Sequence, residues 1–333
     1  NFIASDFTDD GLDDILTLKL SYNGTYSKVD SITIYESTNN GTSFVQRRRE
    51  VQPNFNRIPT NKQFIFPGDY DGDGISEYVI ILGNVNNIFD SFKCSNYLTG
   101  GACGSISISG TANFHPNTWN TKTRITPIDL NGDGKTDLMV ENGINYEVFS
   151  FVNSSTVERI AYGNLPTGKD QSFVGDFNGD GKSDLLFTDN NYLDVTRLIS
   201  NGSGFVSSPF LTVKGFYLQV LPPNLKSQND KFVIGDYNGD GKSDIFYTYG
   251  RNSQFPNPDP AQGNDIHIAY GDDIYYSQGD SFHYKQLSYQ QQIHTGYAKA
   301  DPPSYDFFPD VPMDLNGDGK TDLVRASSSF ISY

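Results

Sequence analysis

Basic residues are scarce in this chain, and that shortage excludes a class of partner. Lys and Arg number 24 against 40 Asp and Glu, for a net charge of −16 over 333 residues. A nucleic-acid surface needs basic groups for the phosphates, so no nucleic-acid partner is expected, whereas cations are. Long apolar runs are missing too. No stretch approaches the ~20 residues that cross a bilayer, so no membrane span is expected in this segment. Apolar residues recurring at helical spacing over about ten residues are also absent. Hydrophobic residues make up 36%, which suits a thin core.

Cysteine and histidine are equally sparse. The two cysteines, Cys94 and Cys103, stand in "CSNYLTGGAC". We expect them to close a local disulfide, which places the chain in an oxidising, extracytoplasmic compartment, secreted or at the cell surface. Two free thiols are the alternative. The four histidines are His115, His267, His283 and His294. None lies in a metalloprotease motif, and Ser281 in "QGDSF" lacks the G-x-S-x-G of a nucleophile elbow. No catalytic residue is assigned.

Aspartate, glycine and aromatics are plentiful, and they recur in a pattern. "DFTDDGLDD" begins at Asp6, "DYDGDGISE" at Asp69 and "DLNGDGKTD" at Asp129. "DFNGDGKSD" follows at Asp176, "DYNGDGKSD" at Asp236 and a second "DLNGDGKTD" at Asp314. Successive copies start 63, 60, 47, 60 and 78 residues apart. Repeats of that period point to one architectural unit per copy. Short stretches rich in β-branched and aromatic residues flank each copy: "QFIF" and "SFV" before, "YVIIL", "DLLF" and "DIFYTY" after. "DSITIYE", "SISIS", "NYEVFSFV", "YLDVTRLI" and "DIHIAYG" read as third strands, "TSFVQRRRE" and "STVERIAY" as fourth strands. Arg47, Arg48 and Arg49 suit a solvated edge strand.

The chain is therefore expected to be all-β. It is read as a single β-propeller of four-stranded antiparallel blades over 1–333, with blades starting near 1, 62, 122, 170, 230 and 308. Six blades are expected, with seven as the alternative. "NFIASDF" already reads as a strand, so we expect a fragment of a larger protein, tethered to further domains.

In D-x-N-x-D-G-x-x-D, oxygen side chains fall at positions 1, 3, 5 and 9, and position 7 offers its carbonyl. Hard oxygen donors on a flexible turn suit Ca2+ better than Mg2+. The expected ligands are Asp6, Asp10, Leu12 and Asp14 in the first loop, and Asp69, Asp71, Asp73, Ile75 and Glu77 in the second. The third offers Asp129, Asn131, Asp133, Lys135 and Asp137, and the fourth Asp176, Asn178, Asp180, Lys182 and Asp184. The fifth offers Asp236, Asn238, Asp240, Lys242 and Asp244, and the sixth Asp314, Asn316, Asp318, Lys320 and Asp322. The first loop is expected to be weakest, with Thr8 at position 3, no glycine at position 4 and extra acids at Asp9 and Asp13. Up to six Ca2+ would bring the charge from −16 to −4. The alternative is a set of Asp/Asn-Gly turns without metal.

With these loops the chain resembles the FG-GAP (VCBS-type) repeat family, which includes the integrin α-subunit propeller, some lectins and bacterial secreted proteins. Gly68, Gly175 and Gly235 before the loops fit the resemblance; Ser5, Ile128 and Met313 depart from it. The resemblance implies Ca2+ loops between the first and second strands of each blade. Within that family the loop style looks most like bacterial Rhs/YD-repeat and toxin-complex B-type proteins, whose propellers are docking modules. The expected function is a non-catalytic, calcium-stabilised binding or scaffold module engaging a protein or glycan. A calcium-dependent polysaccharide lyase or hydrolase is the alternative. The Tyr-, Gln- and Asn-rich stretch 250–308 is the expected ligand surface.

Overall fold

The computed structural model describes residues 2–22, 27–38, 43–50, 56–58, 65–83, 89–94, 103–105, 107–108, 124–153, 156–168, 171–188, 195–208, 231–256, 264–297, 310–326 and 331–332. Among these every regular element is a strand, as the sequence patterns require. Among the described residues no helix is long and apolar enough to cross a membrane.

The first sheet orders β1 (Phe2–Ser5), β2 (Asp14–Tyr22), β3 (Ser27–Thr38) and β4 (Ser43–Glu50) consecutively, with β5 (Asn56–Ile58) paired to β3. The second runs β6 (Ile65–Gly68), β7 (Glu77–Gly83), β8 (Phe89–Cys94) and β9 (Cys103–Ser105). β10 (Ser107–Ile108) joins the third sheet, with β11 (Arg124–Ile128), β12 (Asp137–Asn142), β13 (Asn145–Asn153) and β14 (Thr156–Asn164). The fourth holds β15 (Gln171–Gly175), β16 (Asp184–Thr188), β17 (Val195–Ser200) and β18 (Phe205–Ser208). The fifth holds β19 (Lys231–Gly235), β20 (Asp244–Pro256), β21 (Asn264–Ser277) and β22 (Phe282–Tyr297). β23 (Asp310–Met313), β24 (Asp322–Ala326) and β25 (Ile331–Ser332) form the last.

In each sheet the repeated acidic loop is the connection between the first two strands. The residue before the loop pairs with its ninth residue: Ser5 with Asp14, Gly68 with Glu77, Ile128 with Asp137, Gly175 with Asp184, Gly235 with Asp244 and Met313 with Asp322. The first strands pack side by side: β1 against β6, β6 against β11, β15 against β19, β19 against β23, and β23 back against β1. This is the radial arrangement of a β-propeller.

Two expectations are corrected. The sheets are not uniform four-stranded units: two carry a fifth strand and the last has three among the described residues. "SISIS" is not one strand of the second sheet: its Ser105 ends β9 and pairs with Phe92 there. Ser107 and Ile108 pair in parallel with Thr156 and Val157 on the outer edge of the third. One outer edge is thereby covered by a neighbouring segment, which blunts it against pairing with another chain.

The cores lie between sheets. Phe7, Leu16, Ile32 and Ile34 of the first pack on Ile65, Tyr78 and Ile80 of the second. Phe66, Tyr70 and Val79 of the second meet Leu138, Val140, Phe149 and Phe151 of the third. Phe177 and Leu186 of the fourth meet Ile245, Tyr247 and Tyr275 of the fifth, and Met313, Leu315 and Val324 of the last meet Ala4 and Ile15 of the first. A second strand covered on both faces reads as an unbroken apolar run, which explains why all of "DLLFT" in β16 is buried.

Candidate metal centre

Each loop is organised by its first aspartate. In all six, one carboxylate oxygen accepts the amide of position 4 and the other the amide of position 6. In the fourth loop, Gly179 donates to Asp176 Oδ1 at 2.7 Å and Gly181 to Oδ2 at 2.7 Å. In the first, Asp9 and Gly11 do so at 2.7 and 3.0 Å. This fold of the chain needs the left-handed region at positions 4 and 6, where glycine adds no Cβ clash. Gly179 and Gly181 have φ of 79° and 80°. Asp9 takes the same conformation without being glycine, at φ 63°, a region that Asp tolerates better than most residues. The fifth-position aspartate accepts the position-7 amide in every loop, as Lys182 donates to Asp180 Oδ1 at 3.0 Å. The lysine ammonium also reaches Asp180 Oδ2 at 3.0 Å and, in the fifth loop, that of Lys242 reaches Asp240 at 3.4 Å. Partial burial opposes the charge on Asp180, but the Lys182 and Asn178 hydrogen bonds outweigh it and hold the carboxyl below its ordinary range.

The ninth residue differs from the other expected side-chain ligands because in five of the six loops it is buried, Asp322 being half-buried. Asp14, Asp137, Asp184 and Asp244 are all 0% exposed. Their carboxylates tie the loop to the rest of the sheet. Asp14 accepts Phe7 N–H at the loop's start and Ser37 N–H near the end of β3, both at 2.9 Å. Asp244 does the same with Tyr237 at 3.1 Å and Ser277 at 2.7 Å. Burial opposes the charged form and, with no cation beside them, pushes all four carboxyls up to about 6. Asp137 Oδ1 and Asp184 Oδ2 are buried without a donor at good hydrogen-bonding geometry, the Ser150 hydroxyl and the Phe177 amide approaching these carboxyls only loosely. Buried carboxylate oxygens without well-placed donors are what a hard cation would satisfy. In the second loop, ligand atoms of Asp69, Asp71 and Glu77 all lie within 4.8 Å of one another. Among the described residues this is the one set of three acids that converges so closely. The donor set and these poorly satisfied oxygens fit a divalent cation.

Two features of the loops escaped sequence reasoning, although both were visible as a pattern. Position 2 is always apolar or aromatic, and it plugs the core between sheets: Phe7, Tyr70, Leu130 and Phe177 are 0% exposed. Position 8 is Ser or Thr in five loops, and it clamps one loop to the previous one. Its amide donates to the carbonyl of the preceding loop's first aspartate at every junction: Ser76 to Asp6 at 2.8 Å, Thr136 to Asp69 at 2.6 Å, Ser183 to Asp129, Ser243 to Asp176 and Thr321 to Asp236 at 2.7 Å. The sixth bond, Asp13 to Asp314 at 2.8 Å, closes the circle. In return Asp129 N–H donates to Ser183 Oγ and Asp236 N–H to Thr321 Oγ1, both at 2.9 Å.

Asp13, an unexplained extra acid in the sequence, now has a place: its Oδ2 accepts Asp314 N–H at 2.7 Å, in the role of the hydroxyl. Its burial, together with the charges of Asp314 and Asp6, raises its carboxyl to about 6 despite that bond. The glycine before a loop makes room for the next clamp. A Cβ on Gly175 would fall 2.6 Å from Ser243 Cβ, and one on Gly235 2.5 Å from Thr321 Cγ2. The position-7 side chain lies over the preceding position-4 glycine: a Cβ on Gly132 would stand 3.0 Å from Lys182 Cγ and one on Gly317 3.0 Å from Leu12 Cδ2.

The region from which a ligand surface is expected lies in part outside the described residues, at 257–263 and 298–309. Elsewhere it forms the ends of β20, β21 and β22 that extend past Thr248, where β19 stops pairing, and the β21–β22 hairpin end beside the acidic loop, where Tyr275 is buried in the core. Arg47, on the outermost strand β4 of its sheet, pairs with Glu36, as an edge-strand charge should.

Residues 176–247 match the FG-GAP-like repeat family. Among curated proteins none matches the chain. Similar solved structures include an Agrocybe aegerita lectin described for specific recognition of non-reducing terminal N-acetylglucosamine: 14% identical, TM-score 0.49, covering 90% of this chain and 86% of that one. The exotype rhamnogalacturonan lyase YesX is 9% identical with TM-score 0.41, covering 99% and 70%. A chain of the TcdB2–TccC3–Cdc42 complex is 10% identical with TM-score 0.33, covering 94% and 19%. Identities and scores this low assign no activity.

Proposed function

We propose that the chain is a calcium-stabilised propeller in which all six sheets are blades, serving as a non-catalytic binding or scaffold module of a secreted or surface protein. The observation that carries this reading is the distribution of perturbed carboxyls. Among the described residues, every carboxyl raised above its ordinary range (Asp13, Asp14, Asp137, Asp184, Asp244 and Asp322) stands in a repeated loop. Perturbed acids confined to one cleft mark a reaction centre. Here they recur with the repeat and hold backbone amides, which suits a staple at each blade.

The residues at positions 1, 3, 5 and 9, with the carbonyl of position 7, would hold the cation. When bound, Ca2+ supplies positive charge and oxygen coordination to carboxylates that otherwise repel one another in one turn. Because the unfolded chain offers no preformed site, that binding free energy adds to stability. The partner is a protein or glycan engaged by the 250–308 region. The register sets Cys94 opposite Cys103. Cross-strand Cα spacing of about 4.5–5.5 Å is within disulfide range, which supports an intrachain bond and an oxidising compartment.

The test is a thermal melt of the chain in millimolar-range Ca2+ and again in EDTA. The expected result is a lower melting temperature in EDTA that Ca2+ restores. A melting temperature unmoved by chelation would overturn the calcium reading.

A further inference from the structure

From the closed circle of loop-to-loop bonds we infer that the six loops take up cations cooperatively, as one annulus. This rests on the calcium reading above and specifies how its sites communicate. Position 8 stands between two ligand positions, the carbonyl of 7 and the buried carboxylate of 9. Its amide is held by the carbonyl of position 1 in the preceding loop at all six junctions, at 2.6–2.8 Å. Position 1 is itself a ligand, and at three junctions its amide is held in turn by the position-8 side chain, Ser183, Thr321 or Asp13.

A second contact runs in the same direction. The position-7 side chain of one loop lies on the position-4 glycine of the loop before it, as Lys242 does on Gly179 and Lys320 on Gly239. That glycine in turn donates to its own position-1 carboxylate, as Gly239 does to Asp236 Oδ1 at 2.7 Å. Ordering one loop therefore fixes both atoms that anchor positions 7–9 of the next.

Without a cation, several carboxylates crowd each turn and their repulsion opposes the ordered form. The first cation bears the cost of ordering its own loop and part of the next, so the following cation binds with less entropy to lose. The circle has no free end, because Asp13 and Asp314 bond each other in both directions at 2.8 and 2.7 Å. Every site thus has two coupled neighbours.

The experiment is equilibrium dialysis of Ca2+ against the intact chain, beside a Ser183→Ala/Thr321→Val variant. Those hydroxyls are not expected ligands, and their loss removes two of the reverse bonds while sparing the ligand set. The parent is expected to saturate with a Hill coefficient of about 2 or more, and the variant with a clearly shallower slope. Amide hydrogen exchange of the variant at saturating Ca2+ verifies that its strands are as protected as the parent's. A parent slope of one, or a variant as steep as the parent, overturns the coupling while the calcium reading stands. Absence of saturable binding overturns both.

Discussion

Replacing Phe177 with alanine tests whether position 2 of the loop is a packing element independent of any cation. Phe177 is 0% exposed and sits among Leu186, Ile245, Tyr247 and Tyr275, with the Phe282 ring edge-on at 6.1 Å. Four of these five neighbours belong to the next sheet, so the ring is a wedge between two sheets. Burying a Phe side chain contributes about 2–3 kcal/mol from area alone. Both sheets are held by their own ladders and cannot collapse into the space, so a cavity term adds, for a total of about 3–5 kcal/mol. Phe177→Leu should lose about 1.5 kcal/mol or less, because leucine already fills this position at Leu130 and Leu315. The assay is urea unfolding followed by far-UV circular dichroism, in Ca2+ and in EDTA. The alanine loss should be of similar size in both. A loss under about 1 kcal/mol, or one that vanishes in chelator, would refute the wedge.

Two more outcomes follow from the loops. Gly175→Ala should destabilise the chain by about 1–3 kcal/mol, since the new methyl would fall 2.6 Å from Ser243 Cβ; adding Ser243→Gly should restore much of the loss in a double-mutant cycle, and simple additivity would show the seam is not tight there. In EDTA, mild acid should stabilise the protein. Asp14, Asp137, Asp184 and Asp244 have folded carboxyls at about 6 against an ordinary 3.8, so between those values the folded chain binds more protons than the unfolded one and stability rises as pH falls from 7 toward 5. In Ca2+ the trend should reverse, because protons compete with the cation. Melting temperatures across that window decide it, and a steady fall on acidification in EDTA would sink the idea.

Much of the candidate site was legible because it is local. The nine positions of "DFNGDGKSD" lie within one turn, so residue type and spacing alone indicate the Asp176-centred turn and the glycines it needs at 179 and 181. The first-strand, loop, second-strand order was legible for the same reason. Less was legible about what each position does toward its neighbours. Asp184 read as one more ligand, yet its Oδ1 accepts Ser200 N–H at 2.9 Å from the end of β17. Ser243 had no role in the sequence pattern, yet it bonds a residue 67 positions earlier, Asp176. "SISIS" read as a strand of its own unit, yet it is split, with Ser105 in β9 and Ser107 and Ile108 paired to the next sheet. Pattern reports which face a residue presents, but not which distant strand covers that face.

The sequence by itself determined the all-β class, the repeat and the chemistry of each loop, since strand periodicity, turn glycines and oxygen donors act over fewer than about ten residues. Only the tertiary structure decided that the loops are one connected circle. The bonds that close it join Asp13 to Asp314 across almost the whole chain. Such a contact exists only once the sheets have stacked, because it is the packing of position-2 wedges such as Phe7, Tyr70 and Phe177 that brings each clamp within reach of the loop before it.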